Sequence, residues 1–202
     1  MTSKTIAQGA EAKIFLSENL ITKDRIPKSY RITELDNMLR KRRTKSETKL
    51  LIKASKIIPT PIPQESKEFD KIIMPFIDGK KLSKHLNTFP LAKQKQILKQ
   101  IGNSVAKLHN ADIIHGDLTT SNMILSQEKK IFFIDFGLGY ESRKNEDKAV
   151  DIHLLKQALE AKHFKSGETL FKEFKKGYSK SKDSKIIFKR LNAVEKRGRY
   201  KH

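Results

Sequence analysis

Near its start the chain carries three short runs, Thr5–Gln8, Ala12–Leu16 and Leu20–Thr22, that read as strands of an antiparallel sheet. Lys23 closes the third run. Pro27 breaks the loop over 24–33, and from Thr33 the pattern becomes helical. Leu35, Met38 and Leu39 form the apolar stripe, with Asp36 a capping partner three residues after Thr33. Thr44 and Glu47 repeat that spacing ahead of Leu50 and Leu51, so the stretch reads as one helix or two in succession. Pro59, Pro61 and Pro63 mark a stiff connection. Residues 71–77 form a strand that runs into Pro75 and Asp78-Gly79, a break between two halves of the chain. Pro90 opens a long helix on which Ile97, Ile101, Val105 and Leu108 recur at helical spacing. Met123–Leu125 and Ile131–Ile134 flank the polar Ser126–Lys130, which predicts a hairpin. Helices over 149–162, roughly 167–180 and 184–197 complete the pattern. Phe171, Phe174, Tyr178, Ile187, Phe188 and Leu191 give the last two an apolar face.

Composition narrows the classes. The chain has 202 residues, 37% of them apolar, enough for a sizeable core. No apolar run reaches the roughly 18 residues that span a bilayer, so no membrane association is expected. No apolar core of signal-peptide length follows Met1, which points to the cytoplasm. There is no cysteine, which excludes disulfides and thiol catalysis. The net charge of +20 points to a polyanionic partner.

The chemistry concentrates around the hairpin. A hairpin brings its outer ends together, so Asn122 and Asp135 are expected side by side, with Asp117 on the loop just upstream. Oxygen ligands in this number suit Mg²⁺, whose remaining ligands come from substrate phosphates and water. The order His115-Gly116-Asp117, Asn122, Asp135-Phe136-Gly137 is the H-x-D-x-x-x-x-N and D-F-G pattern of the protein-kinase-like superfamily.

That resemblance implies an α+β, two-lobed protein-kinase-like fold. Residues 1–73 would form the N-lobe, an antiparallel sheet plus one helix, 74–79 the hinge, and 80–202 the helical C-lobe. It implies Asp117 as catalytic base, Asn122 and Asp135 as metal ligands, and Gly137 as the residue where the backbone turns sharply. His115 is expected to be structural and Asp151 to brace the catalytic loop. Gln8, Gly9, Ala10, Glu11 and Ala12 occupy the phosphate-loop position, with one glycine where standard kinases have three. Lys23 would hold the ATP phosphates. Glu47 is the expected partner of Lys23, with Glu34 the competitor. Met74, Pro75, Phe76 and Ile77 would line the adenine slot with their backbone N–H and C=O groups. ATP and Mg²⁺ are the implied cofactors.

Further elements narrow the family. Gln8-Gly9-Ala10-Glu11-Ala12, Lys23-Asp24-Arg25, Lys28-Ser29-Tyr30-Arg31, Leu35-Asp36, Arg43-Thr44 with Glu47, His115-Gly116-Asp117-Leu118-Thr119, Asp135-Phe136-Gly137-Leu138-Gly139, Glu146-Asp147-Lys148 with Val150-Asp151, and the Arg197-Gly198-Arg199 tail together resemble the small atypical kinase of the KEOPS complex. This PRPK-type family is related to RIO kinases. The resemblance implies a serine/threonine kinase or ATPase subunit supporting threonylcarbamoyladenosine modification of tRNA. It also implies partners: a carbamoyl-transferase subunit on the C-lobe side, a small regulatory subunit on the N-lobe side, and tRNA. No Ala-Pro-Glu motif follows Gly137, so the C-lobe lacks most of the activation segment and the peptide-docking region. Gly116 stands where standard kinases carry the arginine that receives a phosphorylated activation loop. The basic end, Arg197, Arg199, Tyr200 and Lys201, reads as an arm for RNA phosphates, or one that docks on an acidic partner or the chain's own cleft. The alternatives are a small-molecule phosphotransferase of the aminoglycoside-kinase type, for whose helical insert 202 residues leave no room, and a catalytically idle RNA-binding scaffold.

Overall fold

The computed structural model describes residues 4–199, the last two by backbone alone. Strands β1 (Lys4–Gln8), β2 (Ala12–Ser17), β3 (Leu20–Arg25) and β4 (Lys71–Pro75) form an antiparallel sheet in sequential order. β3 does not end at Lys23 but continues to Arg25, in register with β2 through Ala12 opposite Arg25. The reason is burial: Lys23 and Arg25 are two residues apart, so both point to the covered face.

That face is covered by one 23-residue helix, α1 (Thr33–Ser55), rather than two. The capping-box spacing at Thr44 misleads because both side chains bond to β3 instead of to helix backbone. Asp36 makes no cap; its carboxylate accepts from the Lys28 N–H and from Arg31 and Arg40. The expected stripe at the start of the helix is also corrected. Leu35 and Met38 are exposed, and the helix buries Leu50, Leu51 and Ala54 in its second half.

After β4, residues 76–78 lead into β5 (Gly79–Lys81) and the single turn α2 (Leu82–His85). Helix α3 (Leu91–Asn110) follows Pro90 and buries Ile97, Ile101, Val105 and Leu108. Then come β6 (Ile113–Ile114), a 3-10 turn at Thr120–Asn122, β7 (Met123–Ser126), β8 (Ile131–Phe133), β9 (Tyr140–Glu141), α4 (Asn145–Lys162), α5 (Gly167–Tyr178) and α6 (Ser184–Arg199). The expected hairpin is β7–β8, with Met123 opposite Phe133.

The core is continuous from α1 through α3 to α5 and α6. Helices α3 and α5 touch backbone to backbone. A Cβ on Gly102 would collide with the Phe174 carbonyl, and one on Gly177 with the Lys99 carbonyl. This close contact fixes α3, which in turn delivers the catalytic loop.

Candidate active site

The hairpin sets the site. The Ile134 N–H donates to the Asn122 carbonyl at 3.0 Å, so the residue after β8 is tied to the residue before β7. This places Asn122 beside the Ile134-Asp135 step. Asn122 Nδ2 donates to Asp117 Oδ2 at 2.7 Å and to the Asp117 carbonyl at 3.0 Å. Asn122 Oδ1 takes no hydrogen bond from the described residues, and one carboxylate oxygen of Asp135 is likewise left over. Two such oxygens fit a hard cation that takes its other ligands from phosphates and water. No cluster of three or more His, Cys, Asp or Glu exists among the described residues, so an all-protein metal cage does not compete.

Asp135 lies at φ 63°, in the left-handed region that Asp tolerates better than most residues. The sharp turn expected at Gly137 is therefore made by Asp135. Gly137 is needed for space: a Cβ there would sit 3.0 Å from Asp135 Oδ1 and 3.4 Å from Glu47 Oε2. Burial opposes the Asp135 charge, but Lys23 and the Gly137 N–H outweigh it and hold its pKa below the usual carboxylate range.

Lys23 Nζ donates to Glu47 Oε1 and to Asp135 Oδ1, each at 2.7 Å. This settles the choice of partner for Lys23 in favour of Glu47; Glu34 sits in the exposed first turn of α1. The other Glu47 oxygen accepts from Arg25 at 2.6 Å, and Arg25 Nε donates to Thr44 at 3.2 Å. Arg25 enters the sequence reading only as part of the family element Lys23-Asp24-Arg25, without a role, because one arginine among 43 basic residues carries no signal alone. The available signal was joint: Lys23 and Arg25 on one strand face, Thr44 and Glu47 on one helix face.

His115 is buried beneath the loop and packs on Phe136 with ring centroids 4.5 Å apart. Its Nδ1 accepts from the Asp117 N–H at 3.3 Å, and Nε2 faces the Ile134 carbonyl at 3.2 Å. Burial pushes its pKa down, so it orients backbone as a neutral ring. Asp151 accepts from the His115 and Gly116 N–H groups, both at 2.9 Å, and lies 3.2 Å from His109 Nε2. Burial works against its charge, yet the bonds from His109 and His115 hold its pKa low. Gly116 sits at φ 80°, and a Cβ there would strike the Leu138 carbonyl. A side chain at this position is excluded by the close passage of the segment after Gly137.

That segment is short and pinned. β9 pairs with β6, the Ser142 N–H donates to the Asp112 carbonyl at 2.8 Å, and Ser142 Oγ donates to Asp147 at 2.6 Å. Buried Lys148, known from the sequence only as part of the element Glu146-Asp147-Lys148, holds Asp112 at 2.9 Å. Helix α4 begins at Asn145, four residues earlier than predicted.

Two backbone N–H groups in the expected phosphate turn and hinge are engaged within the chain. After Gln8, the last residue of β1, the Gly9 N–H is taken by the Ala12 carbonyl at 3.0 Å, closing the turn that holds Ala10 and Glu11. The Phe76 N–H is taken by the Asn19 carbonyl at 2.8 Å. Hydrogen-bonded pairs alternate along an antiparallel ladder, so Pro75 and Ile77 present their backbone groups away from β3. Met74 is buried behind them. At the other end, Arg197 pairs with Glu146 across α6 and α4, so it is not a free cation. The Arg199 side chain, Tyr200 and Lys201 lie outside the described residues.

A lysine locked to a helix glutamate, Asn122 beside the Ile134-Asp135 step and a carboxylate on a braced loop thus come together at one end of the hairpin. Residues 3–184 match the protein kinase domain model. The chain is 40% identical to the KEOPS complex subunit Bud32 of Pyrococcus abyssi, over 98% of this chain and 96% of that one. It is 40% identical to a probable serine/threonine-protein kinase BUD32 homolog of Archaeoglobus fulgidus, over 95% and 94%. It is also 40% identical to a probable bifunctional tRNA threonylcarbamoyladenosine biosynthesis protein of Methanosarcina acetivorans, over 95% of this chain but 35% of that protein. The chain belongs to the Bud32 branch of the protein kinase family.

Proposed function

We propose that this chain is the ATP-consuming kinase or ATPase subunit of a KEOPS-type complex and supports threonylcarbamoyladenosine formation in tRNA. The observation that carries this reading is the intact set Lys23, Glu47, Asp117, Asn122 and Asp135 beside a post-Gly137 segment too short to dock a peptide. Residues 1–73 act as the nucleotide-covering lobe, 74–79 as the hinge, and 80–202 as the catalytic and partner-binding lobe. Lys23 grips the phosphates, and Glu47 keeps it extended into the cleft. Pro75 and Ile77 offer backbone groups to the base. A magnesium ion held by Asn122 and Asp135 would shield the charge that develops on the moving phosphoryl group. Asp117 accepts the proton of the attacking oxygen, and Asn122 Nδ2 fixes the orientation of that carboxylate. The attacking group is water or a Ser/Thr hydroxyl; the missing docking platform favours water.

The partners of the reading are a carbamoyl-transferase subunit on the C-lobe, a small regulatory subunit on the N-lobe, and tRNA, in the cytoplasm. The names of the relatives, full-length subunits and fused bifunctional proteins alike, support it. The test is phosphate release from Mg-ATP by the purified chain alone, with tRNA, and with a carbamoyl-transferase subunit. Turnover that rises with the partner or with tRNA is expected. Vigorous phosphorylation of free peptides with no response to either addition would overturn the reading.

A further inference from the structure

Beside the catalytic loop the chain presents a cationic surface that the ATP site does not use. Residues 79–111 contain seven lysines and no Asp or Glu. At one end of this stretch, β5 and α2 pack against the 3-10 turn Thr120–Asn122, which brings Lys81 and Lys84 to the catalytic loop. From the other side, Lys162 at the end of α4 donates to Ser121 Oγ at 2.8 Å. Lys81, Lys84, Lys162 and Lys165 make no ion pair with any described carboxylate, and all four are exposed. The Lys81 ammonium is the one most drawn in: its partial desolvation and then the Lys84 and Lys162 charges lower its pKa, against a pull upward from Asp135.

The turn that follows Lys162 is rigid. His163 is 1% exposed, with Nε2 3.1 Å from Thr120 Oγ1 and Nδ1 2.7 Å from Asn87 Oδ1. Asn87 Nδ2 returns a bond to the Lys162 carbonyl at 3.1 Å, and Ser166 Oγ bonds Gln94 at 3.2 Å. On this fixed turn Phe164 stands 73% exposed, between the two lysines at 162 and 165. An aromatic ring held out to solvent among unpaired cations is the arrangement that stacks a base while the cations follow the backbone phosphates. An acidic protein would use the lysines but leave the ring without a purpose.

We propose that the α4–α5 turn, with Phe164 as the stacking platform and Lys84, Lys162 and Lys165 as phosphate contacts, binds a single-stranded segment of RNA at the rim of the catalytic cleft. This deepens the proposed function and rests on it for the identity of the RNA as tRNA. Contact with phosphates is independent of sequence, and Phe164 accepts any base. The site gives a physical route by which RNA touches the loop that carries Asp117.

The experiment is fluorescence anisotropy with the full chain, a fluorescein-labelled twelve-nucleotide oligouridylate and, separately, tRNA, across a salt series. Phe164→Ala should weaken binding about tenfold with an unchanged salt slope, and Phe164→Trp should restore it. Lys84→Gln with Lys165→Gln should flatten the slope by about 0.7 for each lysine removed. Phe164→Ala binding RNA as wild type does would overturn the site. So would a polyglutamate peptide whose binding falls as steeply with Phe164→Ala as that of RNA, since the ring would then serve a protein. ATP turnover of each variant is measured alongside. If Phe164→Ala keeps wild-type RNA affinity while turnover responds to the partner, this site fails and the proposed function stands. If turnover ignores partner and tRNA while Phe164→Ala still loses RNA, the function fails and the site stands.

Discussion

Lys23 Nζ lies 2.7 Å from Glu47 Oε1, and the remaining oxygen of that carboxylate is held by Arg25. Two cations on one buried carboxylate tie α1 to the sheet. Arg25 and Thr44 add a second tie between β3 and α1. Removing one member of a buried ion-pair network costs about 3–5 kcal/mol, because a charge is left without a partner. Glu47→Gln is therefore expected to lower unfolding stability by about that amount and to raise KM for ATP. Chemical denaturation and steady-state kinetics check both. Unchanged stability would mean that the triad does not hold the helix.

The α3–α5 contact should be intolerant of a single methyl group. Gly102→Ala would drive a Cβ into backbone that has no freedom to move aside. Overpacking of this kind costs about 1–3 kcal/mol. A shift of the denaturation midpoint to lower denaturant is expected, with reduced ATP turnover because α3 feeds the catalytic loop. A midpoint equal to wild type would contradict the packing.

Activity should not depend on phosphorylation of the segment after Gly137. Ser142 is already engaged with Asp147 and the Lys144 N–H, and Gly116 offers no cation to receive a phosphate. Ser142→Ala with Tyr140→Phe should keep ATP turnover within a few-fold of wild type, at a cost of about 1 kcal/mol for the lost hydrogen bond. Loss of turnover that Ser142→Asp restores would contradict this.

Stability should fall as the pH drops below about 6.5. His115 and His163 have folded pKa values lowered by burial. Between each folded pKa and about 6.5 the unfolded chain binds protons that the folded chain does not, so stability rises with pH through that window. The slope is at most about 1.4 kcal/mol per pH unit for each histidine. Asp151, whose folded pKa is also low, adds stability above about pH 4 that is lost on further acidification. Denaturation midpoints from pH 5 to 8 should show the decline, and His163→Gln should make it shallower. A flat profile from pH 5 to 7 would contradict the buried neutral rings.

The catalytic segment was legible in the sequence because its residues sit at fixed offsets on one hairpin and one loop, so spacing alone implies proximity. Spacing put Asn122 next to the Asp135 step and Asp117 just upstream, and the Ile134 N–H to Asn122 carbonyl bond and the Asn122–Asp117 bonds show that proximity, whereas Asp151, 34 residues after Asp117, was placed by the family resemblance alone. The contacts of Arg25 and Lys148 were not legible, since their partners Glu47 and Asp112 come from distant elements and lysine and arginine are everywhere. Helix α1 misled twice for one reason. Its polar residues Thr44 and Glu47 face the sheet, whereas Leu35 and Met38 face solvent, so the usual rule of apolar inside runs backwards over its first half. The expected phosphate turn and hinge were assigned by position along the chain, but which of their N–H groups remain free depends on ladder register, which the sequence does not show.

The central claim is that Asp135 and Asp117, held by Lys23 and Asn122, carry nucleotide turnover. The direct measurement is Mg-dependent ATP hydrolysis and calorimetric Mg-ATP binding for wild type, Asp135→Asn and Asp117→Asn, with circular dichroism to verify folding. Both variants should fold and lose turnover by about 10²–10⁴-fold. Asp135→Asn should also weaken Mg-ATP binding, while Asp117→Asn should retain it. Wild-type turnover in folded Asp135→Asn would contradict the account.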